Sequence, residues 1–250
     1  MIALTLFLGC FVALAFAELL WRARPPLAGG DRRLATNFAL AAANLMIVSM
    51  VPVSGVAASA WAQAQGIGVG HWLESAPALF ALFLLVRSLG SYVLHRASHR
   101  FAPLWRLHRI HHADPEIDLS TALRNHPAEV LLAALVGAGC ALAVGAPVWI
   151  ATAGETVLAV IALWAHANLR LPAAIGQPMA LLLVTPGVHL VHHSAERGEC
   201  DSNYGDAFTL WDRVFGSYSP PCAPARLGLG DAADADADRL LRQLAWPLRR

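Results

Sequence analysis

The hydrophobic residues of this chain are gathered into long runs, separated by polar joints or joints that contain proline and glycine. The runs cover residues 2–21, 36–61, 76–94, 129–144 and 147–165. A helix of about 20 apolar residues is long enough to cross a bilayer. The pattern therefore predicts an all-α integral membrane protein with four to five transmembrane or hairpin helices. The last two runs are short and nearly continuous, so they form either a tight hairpin or two helices that only partly penetrate the bilayer.

The first run has the features of a retained membrane helix. It lacks a basic leader, and Arg22 and Arg24 follow it where a secretory signal would have a small-residue cleavage site. We therefore predict that it stays in the protein as a transmembrane helix.

Composition agrees with a membrane location. Hydrophobic residues make up 57% of the 250 residues and charged residues 14%, whereas soluble domains carry about 25% charged residues. We predict a single membrane domain over residues 1–250, with membrane helices in 1–94, a catalytic region in 95–218 and a cytosolic tail in 219–250. The net charge is +1 and every basic residue is arginine, which gives no basic face for nucleic acid.

The arginines also predict an orientation. Four of them (Arg22, Arg24, Arg32 and Arg33) lie between the first two runs, and the positive-inside rule places that joint in the cytoplasm. The N-terminus then lies outside, whereas residues 95–127 and 166–250 are cytoplasmic. These two segments hold every histidine except His71. The abundance of alanine and arginine favours a high-GC bacterial genome, and hence a bacterial inner membrane.

The histidines form three short boxes with regular spacing: His95-x3-His99, His108-x2-His111-His112 and His189-x2-His192-His193. Residues three or four apart share one face of a helix, so each box directs several imidazoles the same way. Imidazole is a common ligand of iron, zinc and copper. The eight box histidines, with His126 and His166, exceed the roughly four to six ligands that one ion accepts, which indicates two metal ions.

The boxes occur with four further segments: RNHPAE at 124–129, WAHAN at 164–168, NYG at 203–205 and WDRVFG at 211–216. Together these motifs resemble the fatty acid hydroxylase and sterol desaturase superfamily over residues 95–218. The resemblance implies an all-α membrane fold with a cytosolic helical cap that carries the histidine boxes. It also implies a di-iron oxygenase that uses O2 and externally supplied electrons to hydroxylate, desaturate or otherwise oxidise a lipid C–H bond. Zinc is a possible occupant in the isolated protein.

The same resemblance implies the metal ligands. They are the box residues His95, His99, His108, His111, His112, His189, His192 and His193, with His166 as an isolated ninth. His126 precedes Pro127, so it is either a helix-start residue or a tenth ligand or ligand partner. Some members of the superfamily have a second ligand four residues after the isolated one, where this chain has Arg170. Ligating imidazoles are expected to have partners for their outer nitrogens, and Asp114, Asp118, Asp201, Asn203 and Asp206 lie within short sequence reach of the boxes. Each of these five is either such a partner or a loop or helix-cap residue.

Two other classes of membrane protein also contain clustered or paired histidines. A membrane protein that binds or transports zinc would carry histidines in loose tracts or charged groups within its spans. A membrane cytochrome would place paired histidines at membrane depth, not at helix ends. The sparse, fixed boxes favour the oxygenase with a membrane lipid as substrate. Since the sequence has no haem-attachment or iron–sulfur cysteine motif, we expect a separate reductase or small redox protein as electron donor.

Overall fold

The computed structural model describes residues 2–27, 31–51, 53–230 and 236–248. In this part of the chain all regular structure is helical, and β-structure is limited to isolated bridges. The predicted all-α class is confirmed. The helices are α1 (Ile2–Trp21), α2 (Asp31–Met50), α3 (Gly55–Gln65), α4 (Ala76–Arg100), α5 (Ala102–His112), α6 (Pro127–Val144), α7 (Val148–His166), α8 (Ala173–Met179), α9 (Pro186–His192), α10 (Arg197–Cys200), α11 (Leu210–Val214) and α12 (Leu240–Ala245).

Five helical segments are long and apolar enough to cross a membrane, as the sequence pattern predicts. They are Ile2–Trp21, Arg32–Gln65, Ala76–Arg100, Pro127–Val144 and Val148–His166. Helix α1 leaves most of its large apolar side chains exposed, including Leu4, Val12 and Phe16. Such a surface is stable when lipid, not water, surrounds it.

The second predicted span is present, but it consists of two helices and not one. Helix α2 ends at Met50 and α3 begins at Gly55, where the hydroxyl of Ser54 accepts a hydrogen bond of 3.1 Å from the Ala57 amide. The sequence at 51–53 is Val-Pro-Val, and proline disfavours an uninterrupted helix; position 52 lies outside the described residues. The break turns α3 onto α6 and α7.

Helices α6 and α7 are joined by a short turn, but each packs against α3 and α4 and not along the other, so the tight hairpin that the sequence allows is not formed. Gly145 ends α6 with a φ of 65°, in the left-handed region where a side chain is disfavoured. A Cβ at this position would also lie 2.1 Å from the carbonyl oxygen of Ile67. The two helices pack with α3 and α4 around a core that includes Phe83, Val144 and Ile150.

The short helices lie at the end of α4 and α7 that carries the histidines. Helix α5 starts two residues after α4 ends and packs against it, and α9 packs against α7. Buried polar groups fix the loops between them. The guanidinium of Arg124 donates to the carbonyl oxygens of Ile110 and Ala237 and to the side chain of Asn37. These bonds join three distant parts of the chain next to the histidines.

Candidate metal centre

Nine histidines come together in two buried groups. Within each group, one ligand atom from every residue lies within 4.8 Å of all the others. The five-histidine group contains His95, His99, His108, His112 and His192, and the four-histidine group contains His111, His166, His189 and His193. Of the ten histidines predicted as ligands, His126 alone belongs to neither group.

Helix geometry determines which group each histidine joins. In each HxxHH box the two histidines four residues apart belong to the same group. His108 and His112 are in the five-histidine group, and His189 and His193 are in the four-histidine group. The residue between them, His111 or His192, joins the other group. Successive residues on an α-helix are rotated by about 100° because it has 3.6 residues per turn, so adjacent imidazoles diverge. Each HxxHH box therefore contributes to both groups, whereas His95 and His99 both belong to the five-histidine group.

The inner ring nitrogens of each group face one another. The Nε2 atoms of His108 and His112 are 3.1 Å apart. The Nε2 of His166 lies 3.1 Å from the Nε2 of His111 and 2.9 Å from the Nε2 of His189. Among the described residues, the Nε2 atoms of three further imidazoles are buried without any hydrogen-bond partner: His95, His99 and His192. A ring nitrogen in this position needs either a donor or a cation.

Most of the outer nitrogens are held by acceptors, which determines the tautomer. The Nδ1 of His108 donates to Glu129 at 2.6 Å, and that of His192 to the Ser202 carbonyl oxygen at 2.7 Å. When Nδ1 carries the proton, Nε2 presents its lone pair inward. Lone pairs that face one another at about 3 Å repel, whereas a cation between them would be bound by all of them. The residues present therefore fit a metal ion in each group.

Burial keeps these imidazoles in the form that binds metal. It lowers the pKa of five clustered histidines well below the usual value, and neighbouring imidazoles lower it further. These residues are His111, His112, His189, His192 and His193. They are neutral at neutral pH, and neutral imidazole is the ligand form.

Two of the five residues predicted to hold outer nitrogens do so. Asp201 lies 3.2 Å from the Nδ1 of His99, and Asp206 lies 3.3 Å from that of His95, which also contacts the Tyr204 carbonyl oxygen at 2.7 Å.

The other three have different partners. Asp114 and Asp118 form ion pairs with Arg33. Asn203, with a φ of 51°, donates to the carbonyl oxygens of Val188 and Ser219 and so fixes the loop after α10.

Glu129, which accepts the shortest hydrogen bond from an outer imidazole nitrogen, was not among the residues predicted for this role. The signal was present, because this glutamate is the one charged residue in the apolar run 127–144. An acidic residue in the first turn of a helix is also favoured by the helix dipole, and the sequence alone supports only that structural role for Glu129. Cys200 was not singled out either: its Sγ lies 3.7 Å from the Nδ1 of His112, and burial raises its pKa to about 12, so it remains a thiol.

His126 lies at the start of α6 and has a structural partner. Its Nδ1 accepts a hydrogen bond of 3.1 Å from the Ala128 amide, and its Nε2 lies 3.3 Å from the Leu244 carbonyl oxygen. The structure thus places it at the helix start and not among the clustered nitrogens. His71, the one histidine outside the two segments predicted to be cytoplasmic, contacts the Ile67 carbonyl oxygen and belongs to neither group.

A cavity of about 230 Å³ lies against both groups, between α4, α6 and α7. We call it the chain chamber. Its lining includes histidines from each group, and elsewhere many short or apolar side chains such as Leu94, Ala122, Val130 and Ala133. A larger cavity of about 490 Å³ lies on another face of α4, where it contacts His99 alone among the clustered histidines.

Comparison with known proteins gives a consistent family. The sequence model of the fatty acid hydroxylase family matches residues 80–217. The chain is 30% identical over 181 residues to the ornithine lipid hydroxylase of Rhizobium tropici, which covers 72% of this chain and 54% of that protein. It is 31% identical over 163 residues to the alkylglycerol monooxygenase of Danio rerio, covering 64% of this chain and 35% of the relative.

The human alkylglycerol monooxygenase is 30% identical over 139 residues, which cover 56% of this chain and 30% of the relative. The chain thus spans about half or less of the length of these relatives. No solved structure matches it.

Proposed function

The chain belongs to the fatty acid hydroxylase family, and from this premise we propose that it hydroxylates a C–H bond of a membrane lipid. One oxygen atom of O2 enters the C–H bond and the other leaves as water, with two protons and two electrons taken up. The observation that carries the proposal is the pair of buried histidine groups whose inner nitrogens converge beside an apolar cavity.

Two ions, one in each group, account for the ligand count. First-row metals accept about four to six ligands, and the groups offer five and four imidazoles. The proposed ligands are the nine clustered histidines. Iron fits the oxidation better than zinc, since zinc has no redox chemistry. When bound, the iron ions supply the capacity to reduce O2 and to oxidise the C–H bond.

The protein's own residues prepare this chemistry. Glu129, Asp201 and Asp206 hold outer nitrogens, which keeps the imidazoles in one orientation and tautomer. Glu129 and Asp206 also line the chain chamber, so the groups that hold the ligands border the site of the substrate. The short apolar side chains of the chamber exclude water and admit a hydrocarbon chain.

A lipid is the substrate class that this location favours. The chain chamber lies between three membrane helices, α4, α6 and α7, so a hydrocarbon chain reaches it from the bilayer side of the histidines. The names of the relatives specify hydroxylation of ornithine lipids and monooxygenation of alkylglycerols. These names support hydroxylation over desaturation for this chain.

The proposed reaction also requires an electron donor, and the protein a defined orientation in the membrane. The net reaction needs two external electrons, so a separate electron donor must reach the histidine end of α4 and α7. The arginine-containing joint between α1 and α2 supports a topology with the N-terminus outside and the histidines and C-terminus in the cytoplasm. A bacterial inner membrane is the proposed location.

Oxygen incorporation tests the proposal. The purified protein, loaded anaerobically with ferrous iron and placed in lipid nanodiscs, would receive a chemical reductant and oxygen-18 gas. Mass spectrometry should find one labelled oxygen atom in a lipid, and His189→Ala should form none. Loss of two hydrogens without label would show a desaturase instead. No lipid product from fully iron-loaded protein would contradict the proposed function.

A further inference from the structure

An ion pair lies in the middle of two membrane helices, away from the metal centre. The Nε of Arg87 on α4 is 2.9 Å from the Oε1 of Glu155 on α7, and both side chains are partly buried. Arg87 precedes His95 by eight residues, which is about 12 Å along a helix with a rise of about 1.5 Å per residue. Charged groups at membrane depth are costly and usually serve a function.

Two neighbouring helices have glycines where they contact this ion pair. A Cβ on Gly55 of α3 would lie 2.7 Å from the Oε1 of Glu155, and one on Gly137 of α6 would lie 3.1 Å from the Nε of Arg87. Arg87 also donates to the hydroxyl of Ser91 at 2.6 Å. Four helices therefore enclose the pair and leave it little freedom to move.

The pair lies next to the chain chamber. It lines a second, smaller cavity of about 160 Å³, which has Ser91, Ala162 and Asp206 in common with the chamber. These three residues form the neck between the two spaces. Beyond the neck the lining contains the charged side chains of Arg87 and Glu155 and the hydroxyl of Ser88, beside the apolar Leu158, Ala159 and Ala207.

We propose that the Arg87–Glu155 pair is the closed end of the chain chamber and limits how much of the lipid chain extends beyond the carbon that is oxidised. This inference rests on the proposed function. A chain that passed the neck would have to separate the pair or remove its polar contacts, and an ion without its partner in an apolar environment is strongly unfavourable. The chain therefore stops at the charged pair, about two helical turns from His95.

The test is a double variant, Arg87→Met with Glu155→Leu, which removes both charges and so leaves neither ion unpaired. The matched control is Thr152→Val, at a similar depth on α7, because the Thr152 hydroxyl bonds to the Val148 carbonyl oxygen of its own helix. The substrates are a homologous series of saturated lysolipids, measured as kcat/KM with iron-loaded protein.

In the wild type and the control, one methylene beyond the preferred length should lower kcat/KM about tenfold, the lower range for a closed hydrophobic pocket. The double variant should accept the longer chains within about twofold of the preferred one, and Ala162→Leu, which fills the neck, should shift the preference to shorter chains. An identical length profile in all four proteins would overturn the proposal. Loss of iron from the double variant would also overturn it, because the pair would then act through Asp206 on His95.

Photo-crosslinking separates this inference from the proposed function. Lysolipids with a diazirine at the methyl end would be bound to metal-free protein, which needs no turnover. The wild type should crosslink near the neck, at residues 87–91 and 158–162, and longer probes should be excluded; the double variant should capture them. Equal capture of long probes by both proteins would refute the closed end. Normal crosslinking in a wild type that oxidises no lipid would instead refute the proposed function.

Discussion

The five-histidine group and the four-histidine group differ in what holds their outer nitrogens. In the five-histidine group three imidazoles face carboxylates: His95, His99 and His108. In the four-histidine group His111 and His166 face the carbonyl oxygens of Arg124 and Ala162. The Nδ1 atoms of His189 and His193 have no hydrogen-bond partner among the described residues.

This difference gives the two groups different electrostatics. A carboxylate behind an imidazole makes it a more basic ligand and compensates part of the charge of a bound cation. A carbonyl oxygen fixes the orientation of the ring but adds no charge. We therefore expect the five-histidine group to bind its ion more tightly, although the four-histidine group has the closest inner nitrogens, 2.9 Å apart in His166 and His189.

The largest effect should follow from removing one imidazole from each group. His192→Ala opens the five-histidine group and His189→Ala the four-histidine group. Each variant should lose an ion and fall in activity by more than the roughly 10- to 100-fold typical of changes behind the ligands. Iron per chain and lipid product, measured with membrane insertion as the control, check this. Full iron content in both variants would show that these histidines are not metal ligands.

The next effect concerns Glu129, the acceptor nearest an imidazole. Glu129→Gln keeps the shape but removes the charge behind His108, so iron affinity or activity should fall about 10- to 100-fold. Asp201→Asn is the comparison, and its effect should be smaller because the Asp201 side chain is 42% exposed to solvent. Equal affinities for the wild type and the Glu129 variant would show that the carboxylate does not tune the site.

A third effect is the dependence on pH. The pKa of His111, His189 and His193 is lowered by burial, whereas the unfolded chain has a value of about 6.5. Below about pH 6.5 the unfolded chain takes up protons that the folded chain cannot, so the stability present above that pH is lost as the pH falls. Protons also compete with metal for the nitrogens.

Titration of the iron content with falling pH measures this effect. Both groups should lose iron below about pH 6.5, and the four-histidine group, without carboxylates, should lose it first. The thermal midpoint of the protein should decline over the same range. An iron content that stays constant far below that pH after long equilibration would contradict an accessible histidine site.

The smallest effect should come from His126, which the sequence left between a ligand and a helix-start residue. His126→Ala removes the acceptor for the Ala128 amide and should lower the free energy of unfolding by about 0.5–2 kcal/mol, with unchanged iron content. Ser54→Ala, at the start of α3, is a matched loss of a helix cap. Loss of iron from the His126 variant alone would identify it as a tenth ligand.

Local spacing explains why so much of the centre could be predicted. The HxxHH boxes require helices to bring His108 and His112 together, and helix periodicity is a local property. The apolar runs likewise mark α1, α4, α6 and α7 because a bilayer demands about 20 apolar residues. Neither inference depends on how distant parts of the chain meet.

Tertiary packing explains what could not be predicted. Glu129 reaches His108 because α5 packs against the start of α6, and no spacing rule encodes that contact. Asp114 was expected near the histidines because it follows a box by two residues, yet Arg33 on α2 binds it. The break between α2 and α3 was missed because a single proline in an apolar run is compatible with a continuous membrane helix.

A di-iron centre is tested by the iron content of detergent-purified protein after anaerobic iron loading, combined with Mössbauer spectroscopy. We expect about two irons per chain, in two magnetically coupled and spectroscopically distinct sites, because one group offers five imidazoles and the other four. Zinc that iron does not displace, or no bound metal at all, would contradict a di-iron centre and would leave the histidines a binding or structural role.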